Sequence, residues 1–253
     1  EYDSNAGNTL DKSADVMNLA ILSADGPYQV DDFGAFGTCF RTNLQSRTAM
    51  RSFGFIQCTL VREEAIEHLA HRLGMLPEDV RAKNLYRDST ADSWDVTPYG
   101  QELRWCLIRD VWGRLRERAD FDRRREAIER WNRDNRWRKR GISMIPMKYG
   151  VSRRTKSSNQ ASAYVAVYAH DGSVILRHGG VEMGQGLATK LAQIAALSLG
   201  VPLSRVRLGP TDTSLIANAS PTGASTGTDL NGGAVKLACE ALRQRLTAFC
   251  ELN

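Results

Sequence analysis

His178-Gly179-Gly180-Val181-Glu182-Met183-Gly184-Gln185-Gly186-Leu187-Ala188-Thr189-Lys190 is a glycine-rich turn that leads straight into a helix-forming sequence. Its four glycines strip side chains from the loop and open positive φ, so bare backbone can press against a ligand. The helix that follows offers unpaired N–H groups and the positive end of its dipole, a seat for an oxyanion. The spacing matches neither the G-x-G-x-x-G dinucleotide fingerprint nor the G-x-x-x-x-G-K-S/T phosphate loop, which disfavours an ordinary nucleotide site.

Outward from this turn the pattern alternates. Upstream, Ala161 to Ala169 and Ser173 to Arg177 flank Asp171-Gly172, a short-range hairpin signal, and Ile142 to Tyr149 reads as a further strand. Downstream, Thr189 to Leu199 reads as a buried helix closed by Gly200, and Arg205 to Leu208 as a strand. Ala217 to Thr228 is a small-residue loop, and Gly233 to Phe249 a last amphipathic helix. Further back, Leu60, Ala65, Ile66, Leu69, Ala70 and Leu73 form a helical stripe ending at Gly74, and a second helix starts at Pro77 and runs to about Asn84. Asp88 to Gln101 is polar and predicts a linker. Leu103–Arg118 and Asp120–Trp137 predict two helices anchored by Trp105, Leu107, Val111, Trp112 and Leu115. Without a regular βαβ cadence the class is α+β, with mixed sheets and helices.

A chain of 253 residues with 25% charged residues is long enough for one or two domains. No apolar run approaches the roughly 18 residues of a membrane span, and Glu1 to Gly7 lacks a signal-like basic and apolar start. The expectation is a cytoplasmic protein without a membrane partner. The five cysteines, Cys39, Cys58, Cys106, Cys239 and Cys250, form no C-x-x-C pair, which argues against an iron–sulfur or zinc site here. His68 and His71 share a helical face but lack a third ligand. The formal charge of +5 is concentrated between Arg114 and Arg140. Glu117, Asp120, Asp122, Glu126, Glu129 and Asp134 are interleaved there at ion-pairing spacings, so a solvated helical face is the reading and no nucleic-acid partner is expected.

Two loops, Gly179–Gly186 and Ser220–Gly227, share small residues and a helix close behind, and Arg47 to Gln57 repeats the design. Arginine, backbone amides and a glutamine gathered in one place suit one large anionic ligand, phosphate-bearing or metal–oxo. At these residues the chain resembles the xanthine dehydrogenase/aldehyde oxidase family of molybdenum hydroxylases. The matches are Gly179-Gly180-x-Glu182-Met183-Gly184-Gln185-Gly186-x-x-Thr189-Lys190, Phe40-Arg41-Thr42-Asn43-Leu44 leading to Arg51-x-Phe53-Gly54, Arg81-x-Lys83-Asn84-Leu85-Tyr86, and Asp229-Leu230-Asn231-Gly232. Ser4 to Thr9 and Trp137 to Gly141 also fit, so the resemblance runs nearly end to end.

The resemblance implies parts of two molybdopterin-binding domains. Residues 1–88 would be the C-terminal part of the first, and residues 89–253 the N-terminal part of the second. It implies molybdenum on a pterin and hydroxylation of aldehydes or N-heterocycles with water-derived oxygen. It further implies 2Fe-2S and FAD in other domains of a homodimeric parent protein, and a segment inactive on its own. Carried over position by position, Gln185 lies beside the metal oxo group. Arg51, Gly184, Gln185, Gly186, Ala224 and Ser225 bind the cofactor, with the backbone of Arg51 and Ala224 near the molybdenum ligands and no direct side-chain ligand. Phe53, Leu19 and Arg154 face the substrate. Leu19 stands where xanthine-oxidising members place an arginine, and Arg153-Arg154 where they place a stacking phenylalanine and a threonine. Ser52 and Ile56 replace a usual Gly and Pro. The family's general-base glutamate falls in a later segment, beyond Asn253, and Glu182 is expected to brace its loop. The alternative is a non-catalytic scaffold that no longer binds the cofactor.

Overall fold

Strand β1 (Tyr2–Gly7) pairs in parallel with β2 (Gly37–Arg41), and α1 (Ser13–Leu22) lies between them in the chain. The structure is a computed structural model and describes residues 1–153 and 155–252. It divides into two compact units, Glu1–Tyr149 and Gly150–Asn253. The β1–α1–β2 unit went unread in the sequence because β1 is largely polar, while α1 is preceded by Lys12, which gives no side-chain cap, and is apolar around much of its circumference.

Helix α2 (Phe55–Leu73) begins at Gly54 (φ 97°) and ends at Gly74 (φ 62°), where Gly74 and Met75 N–H groups bond back to His71 and Ala70 carbonyls. This left-handed glycine stop is the one expected. Helix α3 (Pro77–Asn84) starts on its proline with Glu78 and Asp79 in the first turn. Helices α4 (Ile108–Arg118) and α5 (Phe121–Asp134) follow.

Three expectations for the 88–149 region are corrected. The 88–101 segment is no free linker, because Asp95 and Thr97 are buried and Asp95 accepts Arg87 N–H at 2.6 Å and Arg87 Nε at 2.8 Å. Of the five expected anchors only Trp112 is buried; Trp105 is 96% exposed and Leu107, Val111 and Leu115 are exposed. Trp112 instead joins Tyr28, Leu85, Phe121 and Met144 in one cluster, so α4 and α5 pack on residues from the chain's first third. Ile142–Tyr149 forms no strand: Met144 and Pro146 are buried between exposed neighbours, which is a strand's alternation, but among the described residues no partner strand bonds to it.

In the second unit β3 (Ala163–Val167) and β4 (Val174–His178) pair antiparallel around Gly172 (φ 68°), as the Asp-Gly signal predicts. Helix α6 (Leu187–Leu199) leads from β4 to the parallel strand β5 (Val206–Leu208), giving the order β3-β4-β5. Helix α7 (Gly227–Leu252) packs along α6. It starts six residues ahead of the expected Gly233, because Gly232 does not break it. A Cβ there would sit 2.7 Å from Ile194 Cδ1, so the glycine lets the two helices approach closely. Leu176, Leu187, Leu191, Ala195, Val235 and Cys239 form the core, each Leu worth about 1.5–3 kcal/mol of burial. The α+β class with small mixed sheets is the fold observed.

Candidate functional site

The glycine turn is held by three side chains of its own neighbourhood. His178 is buried, and its Nδ1 accepts the Gly180 N–H at 3.2 Å. Burial holds its pKa below the usual imidazole value against the opposing pull of Glu182, which keeps the ring neutral and Nδ1 an acceptor. The Glu182 carboxylate accepts the N–H groups of Gly184 (2.8 Å), Gly186 (3.0 Å) and Ala188 (2.9 Å). The expected open oxyanion seat at this helix start is therefore corrected: the protein's own carboxylate fills it, and Glu182 braces the loop. The Ala188 N–H bond, with those of Gly186 and Gly184, holds the Glu182 pKa below the usual carboxylate value despite partial desolvation.

Gln185 closes the same loop, its Nε2 donating to Val181 O (2.8 Å) and its Oε1 accepting Met183 N–H (2.6 Å). Gly184 (φ 95°) and Gly186 (φ 75°) have nothing within 4 Å of where a Cβ would stand, so their outer faces are bare backbone. Gly179 and Gly180 face inward instead, against Ala219, Leu187 and Asn231.

A second small-residue loop meets the first. Val181 N–H donates to Thr222 Oγ1 at 2.9 Å, joining 179–186 to 220–227. Ala224 (φ 55°) and Ser225 (φ 58°) both sit in the left-handed region, at about 1–2 kcal/mol each for a residue with a Cβ. Their N–H groups have no acceptor among the described residues. A third segment borders this loop: Ser152 N–H bonds to Ala224 O (3.0 Å), and Ser220 and Gln160 bond reciprocally. Arg153 Nη2 reaches Pro221 O at 2.9 Å. Arg154 lies outside the described residues.

The third loop belongs to the first unit. Arg51 is exposed and makes no ion pair among the described residues, and its N–H has no acceptor there. Ser52 (φ 83°) and the half-buried Phe53 (φ 42°) precede Gly54 in an unbroken left-handed run. Ser52 Oγ accepts the Ile56 N–H at 3.0 Å, which substitutes for a helix cap. Glycine is required at 54 for a second reason, since a Cβ would run into Val16 O and lie 3.0 Å from Ala20 N. The α2 start is thus pressed onto the turn of α1 that carries Leu19, which brings Leu19, Arg51 and Phe53 into one part of the unit.

Two residues of the second unit's loops were missed in the sequence: His178 as a loop acceptor, and Arg153 as a side chain tied to the 220–227 loop. His178 could have been found, because it opens the diagnostic stretch; Arg153 depended on a contact 68 residues away.

A large oxygen-rich group needs free backbone N–H at loops without bulky side chains, and in the second unit Ala224 and Ser225 fit that need. In the first unit, taken by itself, Arg51 offers an exposed guanidinium that makes no ion pair among the described residues. Among the described residues no three His, Cys, Asp or Glu side chains gather as a metal cluster.

Residues 1–85 and 114–252 match two family models, each described as a molybdopterin cofactor-binding domain. The chain is 41% identical over 252 residues to the xanthine dehydrogenase/oxidase of Gallus gallus, covering 100% of this chain and 18% of that protein. It is 40% identical over 253 residues to aldehyde oxidase 1 of Macaca fascicularis, again 100% of this chain and 18% of the relative. Among solved structures, quinoline 2-oxidoreductase from Pseudomonas putida 86 superposes with a TM-score of 0.78 at 23% identity, over 96% of this chain and 32% of that one. Aldehyde oxidoreductase from Desulfovibrio gigas gives 0.74 at 22% identity, over 95% and 26%; these two establish likeness of fold. The chain belongs to the xanthine dehydrogenase/aldehyde oxidase family, as a molybdopterin-binding region. Its curated relatives are oxidoreductases, and it spans 18% of the length of the two named here.

Proposed function

We propose that this chain forms part of the molybdenum-cofactor pocket of an oxidoreductase that hydroxylates aldehydes or N-heterocycles with water-derived oxygen. The observation that carries the reading is the pair of left-handed, unpartnered amides at Ala224 and Ser225, in a chain alike from end to end to xanthine and aldehyde oxidases. Strain of this kind persists where a binding function needs it. When bound, the cofactor supplies the two-electron redox chemistry.

The chain's own residues bind and orient. In the second unit the amides of Ala224 and Ser225 would hold cofactor oxygens, and in the first the Arg51 guanidinium would do the same; preorganised donors of this kind stabilise negative charge. Gln185, fixed by its two hydrogen bonds to the loop, would help hold the cofactor, and Gly184 and Gly186 keep that side of the loop free of bulk. Phe53 and Leu19 shape the substrate wall, and an apolar Leu19 disfavours purines that need a cation at that position. The proton-accepting carboxylate, the 2Fe-2S and FAD groups and a homodimer contact belong to other parts of a cytoplasmic parent enzyme, and the segment alone does not turn over.

A scaffold that has lost the cofactor is the second reading, favoured by Ser52, a side chain at φ 83° on the cofactor loop. Molybdenum and pterin analysis of the protein that carries this chain decides between them. Stoichiometric metal is expected; its absence from protein expressed in a cofactor-producing host would establish the scaffold.

A further inference from the structure

Arg153 is a half-buried guanidinium without a counter-charge. It makes no ion pair among the described residues, and its Nε is buried with no hydrogen-bond partner. Its backbone is clamped, with Arg153 N–H on Asn159 Oδ1 (2.9 Å) and Asn159 Nδ2 on Arg153 O (2.6 Å). At its far end Nη2 lies on Pro221 O, and a Cβ at Gly223 would stand 3.1 Å from Nη2, so the guanidinium lies across the bare backbone of the 220–227 loop. The next two residues of that loop, Ala224 and Ser225, carry the unpartnered amides. With those amides given to the cofactor, the uncompensated cation beside them is left to recognise a second oxyanion, and an arginine fork recognises a carboxylate in particular.

We propose that Arg153 is a specificity-determining residue that selects substrates bearing a carboxylate. This rests on the cofactor-pocket reading above and names the substrate class of that site. Desolvation of Nε makes an unpaired guanidinium unfavourable, and a ligand carboxylate meeting the accessible Nη side restores its charge balance.

The test is calorimetric titration of the complete protein with benzoate and with benzamide, which share a ring and differ in charge, after its molybdenum and pterin content is measured. Benzoate is expected to bind roughly tenfold more tightly than benzamide, a charge-assisted bond's worth. Arg153→Gln should abolish that preference with benzamide affinity unchanged, and Arg153→Lys should keep part of it. Equal binding of the two ligands to the parent protein, or a preference that survives in folded Arg153→Gln, overturns the proposal. So does loss of pterin from Arg153→Gln, which would assign the guanidinium to the cofactor. Should the glutamine variant fail to fold, the lysine variant and the parent protein's benzoate-to-benzamide ratio still decide. Parent protein without cofactor refutes the reading under Proposed function, while the benzoate preference continues to report on Arg153.

Discussion

Helices α2 and α6 both start from a left-handed glycine, Gly54 and Gly186, and neither has a side-chain cap at that residue. The two starts are nevertheless held by different physics. Before α6 a carboxylate in the loop collects three N–H groups, so the turn is tied by its own anion. Before α2 two residues with a Cβ, Ser52 and Phe53, are forced into positive φ, and the loop is kept there by the body it is pressed against. The units behind them differ in the same sense. The second unit's core is apolar, whereas the first buries Asp25, Glu63, Glu78, Arg81 and Asp95. A self-sufficient loop needs little from its scaffold; a strained one depends on a rigid scaffold, and here that scaffold is ionic.

The largest break in this contrast should come from Arg81, which is 1% exposed. Its Nε bonds to Glu63 at 2.8 Å and its Nη2 to Glu67 at 2.6 Å, with Glu78 3.6 Å from Nη1. Tyr28 donates to both Glu63 oxygens at 3.1 Å, and burial together with that carboxylate pushes its hydroxyl pKa up, so it stays a donor. Arg81→Met removes the central cation and leaves Glu63 to Arg62 alone and Glu78 to Arg125 alone, an expected loss of about 3 kcal/mol, the low end for breaking a buried pair. All five tryptophans of this chain, Trp94, Trp105, Trp112, Trp131 and Trp137, lie in the first unit, so urea unfolding of the 253-residue chain followed by tryptophan fluorescence reads that unit. A loss below about 1 kcal/mol would mean that ionic pairing is not what keeps the unit rigid.

A smaller change of opposite sign is expected at Ser52. Glycine at φ 83° removes strain of about 1–2 kcal/mol but gives up the Ser52 Oγ bond to Ile56 N–H, worth about 0.5–1.5 kcal/mol. Ser52→Gly should therefore stabilise the first unit by about 0.5–1 kcal/mol in the same fluorescence assay. A destabilised variant would show that the hydroxyl cap, not the strain, dominates this turn, and would bring the α2 start closer to the α6 design.

Legibility in the sequence followed the range of the interactions. Local signals carried: Asp171-Gly172, the Gly74 and Gly200 stops and Pro77 place turns and helix ends because a few neighbouring residues determine them. What failed was set by distant partners. Trp105 and Trp112 look alike in sequence, yet only Trp112 reaches Tyr28 and Leu85. Ile142 to Tyr149 has the alternation of a strand and, among the described residues, no neighbouring strand to bond with. In the site, the glycine loops were legible as bare backbone. Which N–H groups remain open was not, since that depends on where the Glu182 carboxylate folds back and on the pairing of 152–160 with 220–224.

The smallest effect separates the two starts by pH. The Glu182 pKa lies below its usual value of 4.5 because the folded loop donates to the charged form. Its contribution is therefore present above that unfolded value and is lost as pH falls through the lower folded one. As pH falls through that lowered folded value the Gly184, Gly186 and Ala188 amides should exchange with solvent faster than intrinsic rates account for. Glu182→Gln should show that loosened exchange at neutral pH and remove its acid dependence. At the α2 start the Ile56 amide is held by a hydroxyl, which does not titrate in this range, so its protection should stay flat over the same interval. Hydrogen exchange of both segments in one sample makes the comparison internal. If Ile56 and Gly186 lose protection together, the acid effect is unfolding of the whole protein, and the separate bracing of the α6 loop by Glu182 is refuted.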